Sequence, residues 1–310
     1  MRTVQRRFTL VGAAVALLVA GCGTGPSQVG AAAIIGDSVI PLEQVQQRLD
    51  ALRKKEPEVQ KLQEQHKFDE VARIAMGAYV QQELVKRAAE REGVTVSEEA
   101  VTQAVDDAGG AETASERTVW DATTYRDWAK TQLLAVELGR KHVDRMEVTF
   151  DYFYAKDDTE AKEKARQVEK DPAKMAEFVK AAPTSPDGQQ LSGSGEKVHS
   201  AEVPRFAATP LFAVRPGTVV AFAPEQGNAQ WFVAYVRDFK DDVRPRGEVS
   251  TEQLAPRALE AIGMRLAQRL AGDPEIRVNP RFGVWDPSAM TCAASEDTLA
   301  GFQAAVRSKS

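Results

Sequence analysis

Apolar residues recur in this chain with two different periods, and the change between them at Met146 limits the fold more than any other feature. Before it, the spacing is helical. Leu42, Val45, Leu49 and Leu52 follow Pro41 at intervals of three and four, and Pro57 marks a stop or kink. A second helix is expected from Phe68 to Arg91, with Phe68, Val71, Ala75, Ala78, Val85 and Ala89 on one face and Gly93 just past its end. Thr95, Ser97, Glu98 and Glu99 supply a cap and first-turn acids for a third helix. After Gly109-Gly110 a fourth helical stretch holds Trp120, Tyr125, Trp128, Leu134 and Leu138. From Val148 to Ala155 the chain turns aromatic and β-branched, as a strand requires. Helical pieces at Ala161 to Val168 and Ala173 to Val179 follow, then a Pro/Ser/Gly loop from Ala182 to Gly195. Strands at Thr218 to Phe222 and Trp231 to Val236 flank a turn at Pro224 to Asn228. Helical spacing returns at Leu259, Ile262, Leu266 and Leu270, after a linker at Arg244-Pro245-Arg246-Gly247. That last helix ends at Gly272-Asp273-Pro274, and Ile276 to Asn279 offers one more strand. With a short strand at Ala31 to Ile35 turning at Gly36-Asp37, the pattern predicts an α+β chain, a mostly helical module interrupted by a small α/β insert.

The first residues are a targeting signal rather than part of the fold. Arg2, Arg6 and Arg7 form a positive start, and the apolar stretch Leu10 to Ala20 is shorter than the ~20 residues a spanning helix needs. Val19-Ala20-Gly21-Cys22 resembles the bacterial lipobox, which implies cleavage before Cys22 and lipidation of its thiol by diacylglyceryl and palmitate chains. Two acyl chains, at ~0.8 kcal/mol per buried methylene, give stable anchoring. The expected location is the extracytoplasmic face of the cell membrane. Arg6-Arg7 alone does not establish twin-arginine export.

Composition narrows the function classes. With 43% hydrophobic and 27% charged residues the chain can build a core, and a net charge of -5 argues against a nucleic-acid partner, which would want a basic stripe. Of its two cysteines, a lipidated Cys22 leaves Cys292 unpaired, so no disulfide framework is expected and Cys292 reads as an inert thiol near a loose C-terminus. His66, His142 and His199 lack zinc-site spacing and read as surface residues, and Gly193-Ser194-Gly195-Glu196-Lys197 reads as a flexible loop rather than a Walker loop. Neither metal nor cofactor is expected.

The segment Tyr79 to Asp107, with Gln82-Glu83-Leu84 and Gly93-Val94-Thr95-Val96-Ser97-Glu98-Glu99, resembles the N-terminal domain of SurA-type periplasmic chaperones, and Tyr125-Arg126-Asp127-Trp128 through Leu138 looks like that domain's next helix. Asn279-Pro280-Arg281-Phe282-Gly283 and Trp285-Asp286-Pro287 resemble the end of SurA-like actinobacterial lipoproteins. The resemblance to SurA/PrsA-type extracytoplasmic chaperones implies a signal peptide at 1–21, a tether at 22–30, a SurA-like helical module at 31–145 and a parvulin-like domain at 146–242. A helix and strand at 243–287 would complete the module, and 288–310 is left as an unassigned tail.

Parvulin prolyl isomerases carry two buried histidines on adjacent strands and an apolar pocket that grips proline. Val203-Pro204-Arg205-Phe206 and Leu211-Phe212-Ala213-Val214-Arg215-Pro216-Gly217 look like the pocket stretch, which keeps Phe206. The histidine positions fall at Asp151 and Phe232, the pocket methionine at Glu202, and Ser185-Pro186-Asp187 keeps an acidic position. The resemblance thus implies a degenerate parvulin fold with no catalytic residue, since a carboxylate buried unpaired in such a pocket costs several kcal/mol. The expected function is a lipid-anchored holdase that binds unfolded or extended secreted polypeptides, with Phe206, Trp120, Tyr125 and Trp128 as candidate peptide contacts. Two alternatives stay open: an active peptidyl-prolyl isomerase acting through Asp151, Asp187 or backbone polarisation, and a solute-binding or cell-envelope scaffold lipoprotein.

Overall fold

A computed structural model describes residues 29–116, 118–184, 188, 190–224, 230–244 and 254–307. The lipobox with Cys22, the acidic position Asp187, most of the turn after Pro224 and most of the linker after Arg244 lie outside these residues. The chain opens with a hairpin of β1 (Ala31–Ile35) and β2 (Ser38–Pro41), turned where Gly36 takes φ 59°. Five helices follow: α1 (Leu42–Lys55), α2 (Pro57–Glu64), α3 (Phe68–Glu92), α4 (Glu98–Asp107) and α5 (Gly110–Ser115). Their ends have local causes. Pro57 starts α2, where its missing N–H costs nothing, left-handed Gly93 (φ 64°) closes α3, and the Ser97 hydroxyl accepts from the Ala100 N–H at 3.1 Å to cap α4. A capping box built by Asp121 and Thr124 starts α6 (Ala122–His142), so Trp120 lies just ahead of this helix rather than inside it.

Beyond α6 the chain forms β3 (Glu147–Ala155), α7 (Asp158–Lys170), α8 (Ala173–Ala181) and β4 (Ser192–His199). Short helices α9 (Pro204–Ala207) and α10 (Pro210–Ala213) lead to β5 (Thr218–Phe222) and β6 (Trp231–Lys240). The chain then returns through α11 (Pro256–Leu270) to β7 (Ile276–Val278), which pairs antiparallel with β1 to give the order β2-β1-β7. Residues 288–307, left unassigned from the sequence, form defined elements. A small hairpin of β8 (Val284–Asp286) and β9 (Thr291–Ala293) packs beside α3, and β10 (Phe302–Ala305) pairs with β5, giving a five-stranded antiparallel sheet of order β10-β5-β6-β3-β4.

Apolar side chains gather in three clusters. One fills the helical module, with Met76, Leu84 and Leu138 at its centre. The other two lie on opposite faces of the five-stranded sheet, as the period of two along a strand demands. Phe153, Val219 and Val233 meet Ala161, Ala165 and Val168 of α7, whereas Phe150, Val220, Phe232 and Val236 meet Leu259, Ile262 and Leu266 of α11.

The segment Gly193 to Lys197, expected as a loop, belongs to edge strand β4. Gly193 fits there because a Cβ would stand 2.7 Å from the Tyr152 ring, and Gly195 takes φ 67° beside a bulge in the β3–β4 register. Two of the three histidines are buried rather than on the surface. His142 is held by Glu92, and the Nδ1 of His199 accepts from the Ala201 N–H at 3.2 Å.

Candidate functional site

Alternation along β3 sends Val148, Phe150, Tyr152 and Tyr154 to the face that carries Phe232, and Phe153 and Ala155 to the other. Phe232, 2% exposed, is the hub of that face. Tyr152 stacks on it at 5.2 Å and 20°, and Phe206 meets it edge-on at 5.7 Å. Tyr154 and Phe222 close the ring at 5.3 and 5.5 Å. The structure brings Phe206 against Phe232 and turns Asp151 away from them. Asp151 shares the parity of Phe153, is 1% exposed, and accepts from the Gly195 N–H at 2.8 Å and from Arg237 Nε at 2.8 Å. Its register partner on β6 is Tyr235, and its carboxylate ties β4 to β6 across β3. Tyr152, one residue on, occupies the place beside Phe232.

This face stacks apolar aromatic groups. Neither β3 nor β6 contains a histidine. Burial raises Tyr152 above its ordinary value, with the Glu196 carboxylate adding to the effect, so its phenol stays neutral. Glu202 is exposed and its carboxylate accepts from the His199 N–H at 3.4 Å, so the expected cost of burying it inside an apolar pocket does not arise.

The aromatic residues of the helical module serve its core. Trp120, 3% exposed, stacks on Trp128 at 5.5 Å and meets Tyr79 edge-on at 5.0 Å. Buried Arg48 holds this corner, donating through Nε to the Val119 carbonyl and pairing through Nη1 with Asp121 at 3.1 Å. Burial pushes Asp121 up, yet hydrogen bonds from Thr123 and Thr124 and the charge of Arg48 bring it down to about 2. Tyr125 and Trp128 are partly buried against the same cluster. All three candidates thus pack in the helical module, Trp120 fully and Tyr125 and Trp128 in part.

An open cleft lies elsewhere, between α3 and α6 under the Val94–Val96 connection. Its volume of about 530 Å³ falls in the range of ligand clefts, ~300–1,000 Å³. Ala89, Val94, Val96 and Leu134 give it apolar walls, and Gln82, Lys86, Glu90, Asp127 and Lys130 form a polar rim. Helical spacing marks Ala89 and Leu134 as inward-facing, but their separation in sequence hides the cleft they line. Among the described residues no set of three or more side chains could hold a metal ion.

Residues 1–138 match the family model of the SurA-like N-terminal domain. No curated protein matches the chain in sequence. Solved structures align over much of its length at low identity. Peptidylprolyl isomerase PrsA of Bacillus anthracis is 16% identical, over 63% of this chain and 94% of that one, with a TM-score of 0.26. Foldase PrsA of Lactococcus lactis is 11% identical over 80% and 94%, with a TM-score of 0.27. One of two SurA-like chaperones of Campylobacter jejuni is 12% identical over 81% and 99%, with a TM-score of 0.22. Scores this low do not establish a shared fold, and the assignment rests on the family match. Residues 1–138, whose described part holds the hairpin, the long α3 and the capped α4 and α6, therefore carry a SurA-like N-terminal domain.

Proposed function

We propose that this chain is a lipid-anchored extracytoplasmic holdase, which binds unfolded or newly secreted polypeptides and does not catalyse prolyl isomerisation. The observation that carries the reading is the open apolar cleft between α3 and α6, inside the part that carries the SurA-like N-terminal domain. An exposed apolar cleft with a polar rim holds extended chain without consuming nucleotide. The rings around Phe232 support the second half of the proposal, since a phenyl ring stacked on Tyr152 stands at one of the two positions where the resemblance calls for an imidazole. Anchoring would come from Cys22, and a Cys22→Ser chain would lose palmitate label and leave the membrane fraction.

Refolding of a proline-limited, aggregation-prone protein tests the reading, with the chain lacking residues 1–22 added in stoichiometric and in catalytic amounts. Raised yield with an unchanged slow phase is the expected outcome. A slow phase that quickens with catalytic amounts would restore isomerase activity, and no effect on either would point to a scaffold lipoprotein.

A further inference from the structure

The connection between α3 and α4 roofs the cleft, and the middle of its backbone is unpaired among the described residues. Val94 N–H donates to the Ala89 carbonyl at 2.9 Å, and the Ser97 carbonyl accepts from Val101. Between them, Thr95 and Val96 make no backbone hydrogen bond among the described residues, though both line the cleft. The strand edge offered by β4 is a poorer template. It is bent by the bulge opposite Phe150 and Tyr152 and carries exposed Glu196 and Lys197, the devices that discourage strand addition.

The rim has a second property. The α3 lip carries Lys86 and Glu90, and the α6 lip carries Asp127 and Lys130. Lys130 pairs with Glu98 at 2.8 Å, while the side chains of Lys86, Glu90 and Asp127 make no hydrogen bond or ion pair among the described residues. Each lip therefore presents both signs.

We propose that a client segment lies in this cleft as an added strand, pairing with the backbone of Thr95 and Val96 and setting an apolar side chain against Ala89 and Leu134. This rests on the holdase reading and deepens it by naming the client class: extended, apolar segments selected with little regard to the charge that flanks them. A flanking lysine finds Glu90 or Asp127, and a flanking glutamate finds Lys86. Exposed pairs of this kind contribute too little to discriminate.

The test uses the full chain in lipid nanodiscs, with empty nanodiscs as blank and two fluorescent peptides of alternating leucine and serine, one flanked by lysines and one by glutamates. Both are expected to bind with dissociation constants within about threefold of each other. Amide hydrogen exchange at Thr95 and Val96 slows when either peptide is added. Val96→Pro removes one N–H that is unpaired among the described residues, and weakens both peptides about fivefold at unchanged Tm. Leu134→Ser weakens both about tenfold and decides the matter if the proline variant does not fold. Unchanged exchange at Thr95 and Val96, unchanged binding by a folded Val96→Pro, or a charge preference above about tenfold would each overturn the proposal. If the chain suppresses aggregation but binds neither peptide, the cleft assignment fails and the holdase reading survives; if it does neither, both fail.

Discussion

Asp286→Ala should loosen the C-terminal segment from both parts of the molecule at once. Asp286 is 2% exposed at the end of β8. Its Oδ1 accepts from the Ser288 N–H at 2.9 Å, the Ser288 hydroxyl at 2.6 Å and the Ala289 N–H at 3.3 Å, and its Oδ2 accepts from the Ala300 N–H at 2.6 Å. One carboxylate thereby folds the turn after β8 and fixes the approach to β10. It also faces Arg265 of α11, which burial brings down to about 10, against the pull of Asp286, and which donates to the carbonyls of Ala208 and Pro287 at 3.1 and 3.0 Å. Truncation leaves three backbone N–H groups and the Ser288 hydroxyl short of their acceptor, and a buried guanidinium without its nearby opposite charge.

Hydrogen bonds to a charged group contribute ~1.5–3 kcal/mol each, and these share one carboxylate, so they do not add. Removing one partner of a buried charged set costs ~3–5 kcal/mol. About 4 kcal/mol of lost stability, at ~2–4 °C per kcal/mol, lowers Tm by about 10 °C. Asp286→Asn keeps the three bonds to Oδ1 and turns an amide donor toward the Ala300 N–H, so about half of that loss is expected. Thermal unfolding followed by circular dichroism reads the size, and amide exchange at Phe302–Ala305 reads the place. A loss below about 1 kcal/mol for the alanine variant, or an asparagine variant as damaging as alanine, would refute the keystone role of this carboxylate.

Three further outcomes follow from single sites. Burial lowers His142 below its usual range despite the opposing Glu92 carboxylate, so the unfolded chain binds the proton more tightly; stability is complete above the unfolded value near 6.5 and is lost as pH falls through the lower folded one. Tm should therefore drop from pH 7 to pH 5, and His142→Gln should flatten that slope; an unaltered slope would exclude His142 as its source. At the crossing of α6 and α11, a Cβ on Gly263 would fall inside the shell of the Ala135 carbonyl oxygen, so Gly263→Ala should cost ~1–3 kcal/mol in a denaturant titration, and a neutral result would mean the helices can part. Burial pushes the Cys292 thiol up to about 12, so a maleimide at pH 8 should label the chain lacking residues 1–22 only after denaturant is added.

The sequence disclosed the elements whose cause is local and concealed those whose cause is a partner. The β1–β2 hairpin, the Gly93 stop and the Ser97 cap could be read from the residues, because turns and caps are set within four positions. Strand β4 could not. Its Ser-Gly-Ser-Gly run has no strand propensity, and pairing with β3 and the ring of Tyr152 over Gly193 impose the conformation. β9 and β10 are three and four residues long, too short for a period to show, and Asp286, Lys162 on the Leu299 carbonyl and Gln81 on the Met290 carbonyl hold them in place. At the aromatic face the error was one of register. Counting from Val148 in steps of two reaches Phe150, Tyr152 and Tyr154, so alternation alone would have put Tyr152, not Asp151, beside Phe232.

The insert shapes α11 and, through it, the cleft. A chain that leaves the helical module after α6 and re-enters at α11 must bury the returning helix against two neighbours. Leu259, Ile262 and Leu266 fill the sheet side, while Ala267 and Ala271 join the cluster of the helical module. Gly263, Ala267 and Ala271 recur every fourth residue, a ridge of small side chains, and Ala135 and Gly139 repeat that spacing on α6. Close approach follows, since a Cβ on Gly139 would overlap the Leu259 carbonyl oxygen just as one on Gly263 would overlap that of Ala135. Helix α6 is thereby fixed from behind on the face of Ala135 and Gly139, and Lys130 and Leu134 are left to line the cleft on another. A wall held by backbone contact has little room to shift, so a peptide bound there as proposed would meet a cleft already formed and carry little cost of reorganisation. If the cleft takes peptide as proposed, Gly263→Ala, by displacing that wall, should weaken peptide binding as well as stability.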